Sequence, residues 1–352
     1  MGKTTKNAGT TPGGLSDLHV HVGGAVPTAV LWEILCDQGL ATPFGNFQAF
    51  HQALSATGKD IRGLDDFLNR YFAVTEEIQS SPAAMAISAY QAVAKAHRRA
   101  EIGRIEVRFN PAKRLRGGVH TMDAIILAAL QGLERVSLHY RVSTAAILSL
   151  GRDVPLEMNE AIADAAIRWA GRSRAGLAAG IVGIDMAGPE SGRMEFKADW
   201  FKTISELYER CRVAGLRTTY HIGETADTGY EGLERVLSHI RPDRIGHGIS
   251  LRLAPPNRKA ALLSTLRDTG TCLEICPTVN LVTRSIKRIS ELGSLTRSLL
   301  RADVPFCVCT DNPYLVHTNV ARELDLLVDA AGNDGAVVRK ASARHAKMHA
   351  FG

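Results

Sequence analysis

Two histidines one residue apart, His19 and His21, stand in the run Asp17-Leu18-His19-Val20-His21-Val22. On an extended strand, residues i and i+2 share a face. The two imidazoles therefore point one way, and Leu18, Val20 and Val22 the other. Neighbouring imidazoles suit a divalent transition metal; the competing reading is a hydrogen-bonded pair of core histidines. His221-Ile222-Gly223-Glu224 offers a second imidazole site, with a carboxylate three residues on. There His221 would ligate metal while Glu224 shuttles protons. In Arg244-Ile245-Gly246-His247-Gly248, His247 lies between glycines that let a ligand or backbone approach closely. In Cys307-Val308-Cys309-Thr310-Asp311-Asn312-Pro313, alternation sends Cys307, Cys309 and Asp311 inward, where Asp311 would close a metal shell. Taken singly, His221, His247 or Asp311 reads as structural. Four separate apolar runs, each ending in a ligand-type residue, form a joint pattern that the structural reading explains poorly.

These residues need a frame that gathers strand ends. Short apolar runs at 17–22, 103–109, 143–149, 179–186, 217–222, 244–249, 271–275 and 305–310 read as strands. Amphipathic stretches at 82–100, 121–138, 158–172, 200–214, 231–239 and 258–269 read as helices between them. On the first helix, Ala83, Ile87, Tyr90, Val93 and Ala94 form the expected apolar stripe. About eightfold alternation predicts a parallel α/β fold, and eight strands predict a closed (β/α)8 TIM-type barrel. Barrel enzymes keep their chemistry at the strand C-termini. Residues 28–81 form a long helical insertion after the first strand, so they belong at that face as a lid.

The 352 residues allow two domains by length, but one site drawing on both residue 19 and residue 311 requires a single domain over 15–352. Residues 1–14 are polar, lack an apolar signal core and read as a disordered arm. A charged content of 22% and a net charge of +6 are ordinary for a soluble chain and weak as a sign of nucleic-acid binding. No apolar run approaches the ~18 residues of a membrane span. Six cysteines, spaced C-x-C at 307–309 and C-x3-C at 272–276, do not make a zinc ribbon; they read as buried reduced thiols in a cytoplasmic protein. The partner expected is a small molecule, with neither nucleic acid nor membrane, and the oligomeric state is left open.

The ordered set of motifs resembles the adenosine deaminase family of zinc aminohydrolases over about residues 15–330. Asp17 to His21 is similar to the family's first-strand H-x-H motif, and Ile105 to Pro111 to its second-strand segment. Gly183-Ile184-Asp185-Met186-Ala187-Gly188 resembles G-x-D-L-A-G. His221 to Glu224 resembles H-A-G-E, Arg244 to Gly248 matches R-I-G-H-G, Cys276 to Asn280 is similar to C-P-x-S-N, and Thr310 to Pro313 to T-D-D-P. The resemblance implies that His19, His21, His221 and Asp311 bind one Zn2+ per subunit. It implies that Glu224 protonates the purine ring nitrogen beside the reacting carbon, that His247 positions or deprotonates the attacking water, and that Gly188 meets the purine through its backbone. Asp66 to Tyr71 resembles the family's lid helix, whose Phe67, Leu68 and Tyr71 would cover the base. The implied reaction is hydrolysis of a 6-aminopurine nucleoside to the 6-oxo product and ammonia. Zinc lowers the pKa of water from 15.7 to about 7, and a buried carboxylic acid supplies the ring proton. The C-x2-C of the other zinc deaminase scaffold is absent.

Two positions depart from the family pattern. Gly23 stands where a carboxylate meets the sugar 5′ hydroxyl, and Asn312 stands where a second Asp lies near the five-membered ring. An amide still donates a hydrogen bond but cannot change charge. Eight Lys and Arg residues between Lys95 and Arg116, with Lys113-Arg114-Leu115-Arg116 after a strand end, admit a 5′-substituted or phosphorylated substrate; the competing reading is a solvated basic loop. A related zinc amidohydrolase reaction on another C–N or ester bond is the alternative function.

Overall fold

The computed structural model describes residues 14–58, 60–173 and 175–352. The expected disordered arm, Gly14 apart, lies outside them. Eight strands form among the described residues: β1 Ser16–His21, β2 Arg104–Phe109, β3 Ser143–Gly151, β4 Ile181–Ala187, β5 Arg217–Ile222, β6 Arg244–His247, β7 Cys272–Ile275 and β8 Phe306–Val308. They lie in sequence order, every neighbouring pair parallel. Parallel neighbours need a crossover, and helices supply it. The sheet closes where the His21 N–H donates to the Asp311 carbonyl and the Asp311 N–H to the His19 carbonyl, both at 2.8 Å. The architecture is a (β/α)8 barrel.

Alternation along the strands sorts the side chains. Val20, Ile105, Val107, Ile184, Tyr220, Ile222, Ile245 and Leu273 join the main apolar core under the helices. The opposite set fills the lumen with charge. Arg244 bonds Glu106 at 2.7 Å and Glu274 at 2.6 Å; Arg108 bonds Glu274 at 3.0 Å and Asp185 at 3.3 Å. All five side chains are fully buried. Removing one partner from such a buried pair costs roughly 3–5 kcal/mol. The Phe351 N–H also reaches Glu106, and its ring lies 3.6 Å from the Arg244 guanidinium carbon, so the C-terminal residues cover this charged floor.

The helix Pro82–Ala100 shows how local sequence sets an element. Ser81 accepts from the Ala84 N–H, Pro82 occupies the first turn, and Glu101 in the left-handed region ends it. Val93 and Ala94 of the expected stripe are buried, but toward the N-terminal half the buried face is Ala84, Met85, Ser88 and Ala89, while Ile87 is 43% exposed. The reason is its neighbour Met122–His139. A methyl group at Gly132 would lie 2.4 Å from the Ala86 carbonyl, so the two helices approach too closely for a branched residue in the seam. The later helices Ser290–Arg301, Val320–Ala331 and Gly335–Met348 complete the outer ring.

Between β1 and Pro82 the insertion forms Thr28–Asp37, Phe47–Ala53, Leu64–Phe67, a π turn Leu68–Phe72, and Ala73–Ile78. Its Leu31, Ile34, Phe50, Ile61, Phe67 and Tyr71 join an apolar cluster shared with barrel residues such as Leu18, Cys276 and Cys307. Among the described residues no helix is long and apolar enough to cross a membrane.

Candidate active site

Three strand ends bring the predicted ligands together. The His21 and His221 Nε2 atoms lie 3.1 Å apart, and Asp311 Oδ1 lies 3.5 Å from His21 Nε2 and 3.8 Å from His19 Nε2. His19, His21 and His221 form one group able to hold an ion, and His19, His247 and Asp311 an overlapping one. The far sides of two rings are occupied: His19 Nδ1 donates to Glu274 at 2.7 Å and His221 Nδ1 to Asp185 at 3.0 Å. Those bonds place the proton on Nδ1 and leave each Nε2 lone pair facing the cluster. His19 Nε2 is buried without a hydrogen-bond partner among the described residues, as a ligand nitrogen would be. Burial, then the charge on Arg108, pushes the His19 pKa well down, and burial followed by His221 does the same at His21. Three neutral imidazoles and a carboxylate fit a zinc-type ion.

Gly246 explains why this strand tolerates no side chain. A methyl group there would lie 3.1 Å from both the His19 and His221 rings. Arg108 links the two supporting carboxylates. Burial alone would raise the Asp185 pKa, but His221 and Arg108 more than reverse that and hold it well below the usual carboxylate range. Burial raises the Asp311 carboxyl to about 7, with His221 and Arg108 opposing.

Glu224 and His247 stand beside this cluster. His247 Nε2 lies 3.5 Å from Glu224 and 3.7 Å from Asp311. The Asn280 amide donates to Glu224 Oε1 at 3.3 Å and to His247 Nδ1 at 3.1 Å, which puts the His247 proton on Nε2, toward the cluster. Burial, then the nearby Asp311, raises the Glu224 pKa well above the ordinary carboxylate range. A carboxyl so raised favours its protonated form and can act as a proton donor.

The backbone is bent to present these groups. His247 and Asp311 adopt φ of 64° and 62°, a region few non-glycine residues enter and one that recurs at active sites. Asp311 therefore reaches the cluster from a left-handed turn after β8, not by simple continuation of the strand. Glu190 accepts from the Glu224 and Thr225 N–H groups and from the Thr225 and Thr228 hydroxyls, and so fixes the Glu224 turn. Arg152 bonds the carbonyls of Gly188 and His221 and pairs with Glu195.

A cavity of about 220 Å³ opens over the cluster. His21, His221, Glu224, His247, Asp311, Asn312, Gly188, Phe67 and Leu68 all line it. Tyr71 does not: it stacks on Phe67 at 5.9 Å inside the insertion, and Phe72 faces the cavity instead, the π turn having shifted the register by one residue. Gly23 lies behind that ring. A methyl group at Gly23 would meet Phe72 at 2.6 Å, so the aromatic ring fills the room a side chain there would need. Of the basic cluster, Lys113 alone lines the cavity; Arg114 is buried against Glu76, and Arg116 bonds Gln38.

Sequence reasoning missed Arg108, Glu274, Asn280 and Glu190 as site residues. Arg108 and Asn280 lay within motifs already singled out. Glu274 and Glu190 carry no local signal, because their role depends on which strand ends face them.

The family model described as adenosine deaminase matches residues 15–351. An adenosine deaminase from Clostridium botulinum is 24% identical over 313 residues, spanning 88% of this chain and 86% of its own length. An adenine deaminase from Agrobacterium fabrum is 27% identical over 335 residues, spanning 92% and 90%. The solved structure of an adenine deaminase from Arthrobacter aurescens matches with a TM-score of 0.80 over 97% of this chain and 94% of that one, at 18% identity, a likeness of fold.

Proposed function

The chain belongs to the adenosine deaminase family, and from that premise we propose that it hydrolyses the 6-amino group of an aminopurine nucleoside, using one zinc ion per subunit. The observation that carries this reading is Glu224, its pKa raised by burial and its carboxyl held with His247 by one amide, beside three imidazoles and Asp311. Relatives named for adenosine and adenine support a purine ring as the common substrate.

His19, His21, His221 and Asp311 would hold the zinc, which supplies the Lewis acidity that makes water a nucleophile at neutral pH. Glu224 gives its proton to ring N1 as water adds at C6, so charge does not build up on the ring. His247, with its proton on Nε2, orients the incoming water, and the proton that the water loses ends on the departing amino group. Cleavage of the C6–N bond then releases ammonia and leaves the 6-oxo purine. The Gly188 N–H, presented at φ 95° with its carbonyl held by Arg152, meets N3. The Asn312 amide meets N7. Phe67, Leu68 and Phe72 form the lid over the base and exclude bulk water. Six free cysteines are in keeping with a reducing cytoplasm.

A metal-loaded enzyme given adenosine, adenine and AMP is expected to release ammonia as the aminopurine absorbance is lost. Ammonia from none of them, with hydrolysis of another C–N or ester substrate, would overturn the proposal.

A further inference from the structure

The end of the barrel opposite the candidate active site is covered by residues that follow the helix Gly335–Met348. The Phe351 and Gly352 N–H groups both donate to Glu106 Oε1, and the His349 carbonyl accepts from Arg244 Nη1 at 2.9 Å. A methyl group at Gly183 on β4 would lie 3.1 Å from the Phe351 ring and 2.6 Å from the Arg217 carbonyl. The strand therefore carries no side chain where the ring rests. The centre of that ring lies 3.6 Å from the Arg244 guanidinium carbon and 5.5 Å from that of Arg217.

Arg244, at the start of β6, uses its whole edge. Besides the His349 carbonyl, its nitrogens lie 2.7 Å from Glu106, 2.6 Å from Glu274 Oε1 and 3.4 Å from the Leu18 carbonyl. A guanidinium donates only in its plane, so an aromatic ring can desolvate its face and attract it at the same time. Phe351 covers that face.

Arg244 leads to His19 by two routes. The first is the side chain: Glu274 Oε2 accepts from His19 Nδ1 at 2.7 Å and from Arg108 Nη2 at 3.0 Å, while its other oxygen faces Arg244. The second is the backbone: the Leu18 carbonyl, one residue before His19, accepts from Arg108 at 2.8 Å and from Arg244. These charges are buried, so a guanidinium that shifts leaves a carboxylate without its partner, a costly state that the neighbouring groups relax to avoid.

Resting on the proposed metal site, we infer that Phe351 is a positioning residue for it. From the far end of the barrel the ring holds Arg244 against Glu274 and the Leu18 carbonyl, and these two set the ring and backbone of His19 for the ion. A Phe351 that served only as apolar cover would contribute to stability and leave the ion's surroundings unchanged.

The test uses the full chain and measures zinc affinity by competition with a chelator, the visible bands of the cobalt-loaded protein, and Tm of the apoprotein. Val338→Ala is the control, since Val338 is fully buried in the main core on the same helix and stands outside this chain of contacts. Phe351→Ala should lose about tenfold in zinc affinity and shift the cobalt bands, at the lower end of what removing an outer partner of a metal ligand costs. Phe351→Leu keeps apolar cover but lacks the ring face, so it should fold as wild type does and lose about threefold. Phe351→Tyr keeps the ring and should stay within about twofold of wild type. Val338→Ala should lower Tm and leave zinc affinity and the cobalt bands unchanged. Wild-type affinity and bands in Phe351→Ala and Phe351→Leu, or an equal loss in Val338→Ala, would overturn the role. If Phe351→Ala does not fold, Phe351→Leu decides alone. A wild type that binds no zinc would overturn the metal site and this inference together. Zinc bound by wild type and weakened in the variants, with no aminopurine deaminated, would leave the positioning role standing and the deaminase reading fallen.

Discussion

Glu224 shows how one residue acquires a function from its surroundings. In water its carboxyl would be ionised at pH 7; here burial, then Asp311, raises its pKa well above the ordinary range and so favours the protonated form. Glu224→Gln retains shape but cannot give up the proton, so kcat should fall at least about 10²-fold with zinc content unchanged; a metal-replete, nearly active variant would remove Glu224 from its role. The shift also has a pH consequence. A raised pKa means that the protonated form persists to higher pH than in an ordinary carboxyl and is lost as pH rises through that pKa. kcat/KM for the metal-replete enzyme should therefore decline as pH rises through that pKa, and a decline only on the acidic side would contradict the assignment. Asp185 acts through another residue. Asp185→Asn weakens the acceptor that fixes the His221 tautomer, so zinc affinity should drop about 10–100-fold in competition with a chelator, while the far-ultraviolet spectrum is unchanged.

Elements place these residues by close approach as much as by periodicity. The helices Pro82–Ala100 and Met122–His139 meet at Gly132, where a methyl group would press on the Ala86 carbonyl at 2.4 Å. Gly132→Ala gains helix propensity of about 1 kcal/mol, but forcing the backbones apart costs about 1–3 kcal/mol. The net expectation is a lower Tm with unchanged KM, since the contact lies on the outer ring; a higher Tm would show that the seam can open without strain. The same interplay decided the lid. The family resemblance implied Tyr71 over the base, yet across the π turn at Leu68–Phe72 it is Phe72 that lines the cavity while Tyr71 is buried in the insertion. One extra residue per turn carries no clear mark in composition, so this rotation was not legible from the chain.

At the scale of the molecule, the proposed metal site would join β1, β5 and the turn after β8, so an ion held there would tie the barrel together. A ligand that binds only the folded state stabilises it, by about 2.7 kcal/mol at a free concentration 100 times Kd. Chelation should lower Tm, and adding zinc back should restore it; an unchanged Tm would mean that the barrel does not depend on the ion. The charged lumen sits beneath that tie. Arg108 and Arg244, each shared between two carboxylates, connect the His19 and His221 supports to the floor.

The sequence alone determined the strand-and-helix alternation, the eight-stranded barrel and the histidines that gather at the strand ends, because these are local: period-two alternation, short runs and residues at their ends. Six of the helices and the insertion were legible for the same reason. What the tertiary structure decided is relational. Glu274 and Asp185 became supports only when register set them behind His19 and His221. Asp311 reached the site through a left-handed turn that alternation does not encode. Gly23, a missing carboxylate in the chain, proved to be the space that Phe72 occupies. Lys113, one of eight basic residues in a row of candidates, proved to be neutralised by Asp153. Charge along a chain counts residues, but charge in a cavity depends on which opposite charge lies within a few ångströms, and only folding settles that distance.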